Sequence, residues 1–394
     1  MAASTIAELD LQGRRVFVRV DFNVPLTPAG GVSDATRIRR SLPTITRAIE
    51  NGARVVLAAH LGRPKGRVKL DLSMLPVAAW LAEALNKDVV LADEPAGDGA
   101  KKVVYDLRDG GIAMLENLRF SPGEEANDES FARTLASYAD VYINDAFSVA
   151  HRAHASIAGM VKYVPSKGMG FVLEREVKIL GKLMGEVERP FVAVIGGTEV
   201  ADRLGLLESL LARADSICLG GALANTFLQA TGTVMGRSLL EPSKLPIVRA
   251  LLAKAEASGV QIVLPRDLVV AADPKADSGA VVSSARVPED QAAFDIGPAS
   301  LSEVAAVLSR ARTVFWHGPM GVWETGAFAA GTMGVAKAIA LIIGGTTVVA
   351  GADTTAAVER AGVAASITHL STGGRAALDF VEGKRLPGLA VLES

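Results

Sequence analysis

Cationic side chains stand where apolar runs end between Arg19 and His154, and residues of this type at strand ends suit a small anion. Arg19 lies in VFVRVDFNVP, His60 and Arg63 follow RVVLAA in AAHLGRPKG, and Arg119 ends IAMLENLRF. His151, Arg152 and His154 close VYINDAFSVAHRAHAS. Guanidinium groups offer planar, paired donors that match phosphate or carboxylate. Ligands of open parallel sheets bind outside the carboxyl ends of the strands. Basic residues at several such ends would therefore gather in one crevice. His151 and His154 suggest a metal pair, but no further ligands lie nearby, and a structural role is the simpler reading.

The second half carries glycines at the ends of its apolar runs: Gly196-Gly197, Gly220-Gly221, Gly318-Pro319-Met320-Gly321 and Ser371-Thr372-Gly373-Gly374. Glycine between a strand and a helix lets backbone N–H groups approach a phosphate. Singly each is ordinary turn chemistry. Together they favour nucleotide phosphates, although none matches a Walker or GxGxxG pattern.

These residues need strands to position them, and the chain supplies strands alternating with helices. RVFVRV, RVVLAA, DVVLA, IAMLEN and VYIND read as strands in the first half; FVAVIGG, SICLGG, QIVLPRD, TVFWHGP and TTVVAGAD do so in the second. Amphipathic segments such as MLPVAAWLAEALN and RLGLLESLLARA separate them. Runs apolar on both faces, with helices between, predict parallel sheets covered on both sides. GMGFVLEREVKILGKLMGEVERP reads as one helix, opened after Gly168 and stopped by Pro190. It is either the hinge of a closing enzyme or an ordinary surface helix.

With 394 residues the chain exceeds what one core organises, so two domains are expected. A net charge of −2 excludes a global attraction to nucleic acid or membrane, so any anion site must be local. The single cysteine, Cys218 in SICLGG, excludes a disulfide framework and a cysteine zinc site. MAASTIAELDLQG has no apolar core and does not read as a signal peptide. VAKAIALIIGGTTVVAG reads as helix, turn and strand rather than a membrane span. A cytoplasmic location is expected.

RVDFNVPL, DATRIR, HLGRPKG, LENLRF, NDAFSVAHRAHAS, GPMGVWE, GADTTAAV, STGG and LPG stand in this order. Through them the chain resembles the phosphoglycerate kinase family over essentially its whole length. The resemblance implies an α/β fold of two Rossmann-like lobes with parallel sheets, joined by a hinge helix. It implies a 3-phosphoglycerate lobe over 1–168, a hinge helix over 169–189 and a nucleotide lobe over 190–378, with 379–394 returning to the first lobe. It further implies reversible phosphoryl transfer between ATP and the carboxylate of 3-phosphoglycerate, Mg2+ as cofactor, small-molecule partners only, and a monomer. Carried over position by position, the substrate residues are Asp21, Asn23, Arg37, His60, Arg63, Arg119 and Arg152, with Arg37 as the catalytic arginine. The nucleotide residues are Gly197, Glu199, Arg203, Gly221, His317, Pro319, Glu324, Gly351, Asp353 and Thr354. Glu324 is expected at the ribose and Asp353 on the magnesium side. Gly373, Gly374, Arg203 and Arg375 are expected at the transferred phosphate.

The departures lie mostly in the nucleotide half. The family's GGAKVSDK is GGTEVADR here, with Glu199 and Arg203 at its two lysine positions. WNGP becomes WHGP with His317, GGGDT becomes AGADT, STGGGA becomes STGGRA with Arg375, and Ser148 replaces the glycine of NDAFG. One charge contact about 4 Å from a phosphate is worth roughly 4 kcal/mol at an effective dielectric of 20, and reversing the charge turns that attraction into a repulsion. Three accounts stand side by side. Arg375 substitutes for the missing lysine; or Glu199 with Asp202 recruits a cation; or the chain is a divergent paralogue that binds a phosphoglycerate-like anion with weak or lost transfer, or uses another donor or acceptor.

Overall fold

The computed structural model describes residues 3–393; Met1, Ala2 and Ser394, the outermost residues of the expected first lobe, lie outside the described residues. The chain divides into two compact units. One runs to Lys178 and includes the segment from Arg385; the other is Ile179–Lys384. This division falls inside the helix Phe171–Met184, which lies within the hinge segment expected over 169–189. The helix Arg375–Val381 belongs to the second unit, so the returning segment is shorter than 379–394.

In the first unit β1 (Arg15–Arg19), β2 (Arg54–Ala58), β3 (Val89–Leu91), β4 (Ile112–Met114), β5 (Val141–Asn144) and β6 (Ser166–Met169) form one sheet. Its order is β3-β4-β2-β1-β5-β6, and every pair is parallel. Val16, Phe17 and Val18 are fully buried, as are Val55, Val56 and Leu57, because helices cover both faces. The chain leaves β1 toward β2 on one side and reaches β5 on the other. The carboxyl ends of β1 and β5 therefore frame a topological switch point, with Arg19 level with Asn144. The returning segment docks here: the Gly388 N–H donates to Ala150 O at 2.9 Å. A Cβ on Gly388 would meet Ile157 at 2.8 Å, so only glycine fits that approach.

The second unit repeats the plan. β7 (Phe191–Ile195), β8 (Ser216–Leu219), β9 (Gln261–Val263), β13 (Thr313–His317), β14 (Thr346–Ala350) and β15 (His369–Ser371) form a parallel sheet in the order β15-β14-β13-β7-β8-β9. Its switch point lies between the ends of β7 and β13, at Gly196-Gly197 and Gly318-Pro319. Sequence reading missed β6 and β15, which are short, and a separate antiparallel sheet of β10 (Asp267–Ala271), β11 (Ala280–Ser283) and β12 (Ala292–Ile296). β11 is largely exposed and lacks the continuous apolar run that marks the other strands. Cys218 is buried, and burial pushes its thiol up to about 12, so it is inert. Among the described residues no helix is long and apolar enough to cross a membrane.

Candidate functional site

Two sets of residues gather at the two switch points, one in each unit. In the first, Arg37 opens the helix Thr36–Glu50, and its guanidinium donates to Asp21, two residues beyond β1. The Ser148 hydroxyl donates to the same carboxylate oxygen at 2.6 Å. Asp21 is thus held by two donors, and Ser148, where the family has glycine, supplies one of them. The Asn23 side chain accepts from the Gly62 N–H at 2.8 Å, and Arg119 donates to Gly62 O at 2.9 Å. These two bonds pin the loop after β2 from both sides. Arg119 also pairs with Glu125 at 3.1 Å. Arg63, on that loop, is exposed and makes no hydrogen bond or ion pair with the described residues, as suits a cation awaiting a ligand. Arg152 is likewise exposed.

His60 lies beneath these cations. Burial, then Arg19, Arg119, His154 and Arg37, hold its ring neutral, well below the ordinary imidazole range. Those couplings bring Arg37, Arg119 and His60 into one cluster; Arg152 acts on Arg119 as well. Arg19 is not part of the open array that the sequence suggested. It is 1% exposed, because its strand position points the side chain into the unit. His154 is buried, with Nδ1 3.8 Å from Glu124, and burial drives its pKa down to about 3. No group of three or more potential metal ligands exists among the described residues.

In the second unit, Arg203 ends the short 3-10 turn Ala201–Arg203 and lies over the switch point. Its Nη2 is 3.3 Å from where a Cβ of Gly197 would stand. Burial lowers its pKa; Asp202 and Glu199 oppose that, and Arg375 adds to it. Among the described residues Arg203 has no ion-pair partner, and its Nε has no hydrogen bond. His317 ends β13 nearby, 6% exposed. Burial, and then Arg203, push its imidazole to about 3, so it is neutral, and its Nδ1 has no hydrogen-bond partner among the described residues. Its Nε2 is 3.1 Å from the place of a Gly351 Cβ. Gly351 has φ +99, and with Asp353 it opens the helix Ala352–Arg360. The Thr354 hydroxyl accepts from the Gly318 N–H at 2.8 Å. Gly197, Arg203, His317, Gly351, Thr354 and Arg375 are thus brought together.

Several glycines have a different purpose from the one their position suggested. The N–H groups of Gly197 and Gly221 donate to Pro319 O (3.1 Å) and Met320 O (2.8 Å), and so do not offer themselves to a phosphate. A Cβ on Gly196 would lie 2.0 Å from Pro319 O, and one on Gly318 would lie 2.4 Å from Gly196 O. These glycines let two loop backbones cross at the switch point. Gly373 donates to its neighbour Ser371 at 3.1 Å. Gly374 differs, with φ +52 and open space where its Cβ would be.

Beside the crossing lies an apolar cavity of about 300 Å³, walled by Gly197, Gly221, Leu239, Pro319, Phe294 and Val322. Leu239, Phe294 and Val322 escaped sequence reasoning, because they come from a loop and from the unforeseen antiparallel sheet. Glu324, two residues past Val322, is exposed. Glu199 is exposed too, while the neighbouring Val200 N–H donates to Glu241. Arg375 is half-exposed and donates to Asp379 at 3.1 Å, which Lys384 also reaches at 2.9 Å. It is therefore a shared, not a free, cation. Glu199 and Asp202 are both exposed and belong to no group of three or more potential metal ligands among the described residues. Asp353 is an exposed single carboxylate. That suits a magnesium ion held by one protein ligand together with nucleotide phosphates and water, and it does not suit a cage built of protein alone.

The phosphoglycerate kinase family model matches residues 6–384. A phosphoglycerate kinase of Anaeromyxobacter dehalogenans strain 2CP-C is 52% identical over 396 residues, covering 100% of both chains. That of Moorella thermoacetica is 50% identical, covering 100% of this chain and 99% of its own. Among solved structures, the phosphoglycerate kinase of Coxiella burnetii superposes with a TM-score of 0.91 at 36% identity over 99% of each chain. The enzyme of Pyrococcus horikoshii OT3 gives 0.82 at 31%, covering 100% of this chain and 98% of its own. With the family model matched over residues 6–384, relatives half identical over the full length and solved structures superposing throughout, the chain belongs to the phosphoglycerate kinase family.

Proposed function

We propose that the chain transfers a phosphoryl group reversibly between ATP and the carboxylate of 3-phosphoglycerate. The first unit holds the acid and the second holds the nucleotide. The observation that carries this reading is Arg203: a guanidinium with no ion-pair partner among the described residues, held over Gly197 beside an apolar cavity, in a unit whose relatives are phosphoglycerate kinases. The cavity takes the base, and the phosphates extend toward Arg203, Gly351 and the start of the helix Ala352–Arg360. Exposed Arg63 and Arg152, with Arg119 and His60 beneath, hold the phosphate end of the acceptor. Arg37 faces its carboxylate.

In the forward step a carboxylate oxygen attacks the γ-phosphorus and forms an acyl-phosphate O–P bond. The bond to the β,γ-bridging oxygen breaks, and ADP leaves with that electron pair. No proton need move, because the acceptor is already anionic. The protein's work is therefore placement and charge stabilisation. Arg37 releases Asp21 to meet the transferred group, while Ser148 keeps a donor on Asp21. Magnesium bound by Asp353 and the nucleotide would neutralise phosphate charge. The same reading expects a cytoplasmic monomer with small molecules as its only partners.

Calorimetry with 3-phosphoglycerate and with Mg-ADP separately, followed by coupled turnover, tests this. Binding of both and measurable turnover are expected, with turnover abolished by Arg37→Ala. Tight phosphoglycerate binding without nucleotide binding would overturn the reading in favour of a divergent anion-binding paralogue.

A further inference from the structure

We propose that Arg19 is a positioning residue that fixes His60 as the neutral tautomer with its proton on Nε2, and that a buried Ser156–Glu124 pair holds Arg19 in place. The proposal rests on the reading that His60 meets the acceptor. Arg19 Nη2 lies 3.2 Å from His60 Nδ1, and both side chains are buried. A guanidinium has donors and no acceptor. Nδ1 must therefore present its lone pair, which leaves the ring proton on Nε2. A fixed cation on that edge also opposes protonation of the ring. His60 then offers one aimed N–H to an anion while adding no charge to a cluster already rich in arginine.

The support behind Arg19 is built to match. Its Nε donates to Ser156 Oγ at 2.9 Å, and a further N–H donates to the carbonyl of the next residue, Val20. Ser156 Oγ donates in turn to Glu124 Oε1 at 2.6 Å, and the Ser156 N–H donates to Glu124 Oε2 at 2.9 Å. The Tyr142 hydroxyl donates to Ser156 O at 2.9 Å, which fixes the backbone that carries this relay. Glu124 is fully buried, with His154 3.8 Å away as its other neighbour. The result is a line, Glu124–Ser156–Arg19–His60, that runs from the interior to the strand ends of β1 and β2. A buried cation serving packing alone would require its counter-charge; it would not require an imidazole nitrogen as an acceptor.

Long-range proton–nitrogen NMR of the histidine rings tests this on the full chain at pH 7. His60→Gln identifies which of the five histidines is His60. The wild-type protein is expected to show an unprotonated Nδ1 and a protonated Nε2 at His60. A protonated Nδ1, or a doubly protonated ring, overturns the proposal without any arginine variant being needed. Arg19→Met is expected to give a mixture of tautomers and to weaken 3-phosphoglycerate binding about 10-fold, as loss of one aligned hydrogen bond would. Arg19→Lys, which keeps a donor, should retain the Nε2–H signature. An unchanged tautomer in a folded Arg19→Met protein also overturns the assignment. If 3-phosphoglycerate fails to bind the wild-type protein while the tautomer is as expected, the functional reading fails and the role of Arg19 in setting the ring stands.

Discussion

Replacing His317 by asparagine should remove a specific sensitivity to acid. In the folded protein the ring stays neutral until about pH 3, because it is buried and faces Arg203; unfolded, it protonates near its ordinary 6.5. Between those values the unfolded chain binds one more proton than the folded one, so stability falls as pH falls. The slope is about 1.4 kcal/mol per pH unit once the unfolded ring is charged, and little is lost above pH 7. Integrated from pH 7.5 to pH 5, the loss due to this residue is about 2 kcal/mol. His317→Asn carries a constant offset from changed packing, which cancels when the difference between variant and wild type is followed across pH. Urea unfolding read by tryptophan fluorescence is suitable, since buried Trp316 adjoins His317 on β13 in the second unit. The variant should gain about 2 kcal/mol on the wild type between pH 7.5 and pH 5. A difference independent of pH would show that His317 is protonated in the fold or titrates equally in both states, and would refute the reasoning.

Glu199→Lys should raise kcat/KM, but less than a direct contact would predict. Glu199 is exposed, so solvent reduces its interaction with the site to about 0.7 kcal/mol per charge, and the two-unit change in charge gives roughly a 10-fold gain at low salt that fades toward 1 M. A gain that persists in high salt, or a fall, would mean the loop is organised around Glu199. Arg375→Ala should leave thermal stability within about 0.5 kcal/mol, because Lys384 still holds Asp379 and exposed pairs contribute little. The affinity for Mg-ADP should fall severalfold through lost charge near Arg203, and an unchanged affinity would remove Arg375 from the phosphate site.

Much of the first unit's site was legible in the sequence. Asp21, Arg37, His60, Arg63, Arg119 and Arg152 each follow a buried run or open a helix, and the parallel sheet brings those ends together. Ser148 was visible only as a departure from a motif; its bond to Asp21 depends on a partner 127 residues away. Arg19 was misjudged for a related reason. Strand alternation says which face a side chain takes, but not whether that face is a crevice or an interior containing Glu124. The glycines of the second unit misled in the opposite way. Gly196 and Gly318 read as phosphate turns, whereas each makes room for the other's backbone.

Local patterning thus determined the strands, the helices, the two-part organisation and the families of residues that could meet an anion, because burial on both faces of a parallel strand leaves continuous apolar runs. Motif order carried the family. Only the tertiary structure decided which cations remain open and which are satisfied: Arg203 lacks an ion-pair partner among the described residues, Arg375 pairs with Asp379, and Arg19 is turned inward. It also decided where the apolar cavity lies, since its walls come from β12 and from loops distant in sequence. Charge in a sequence is a property of residues, but its availability to a ligand depends on which partners and how much water the fold leaves around it.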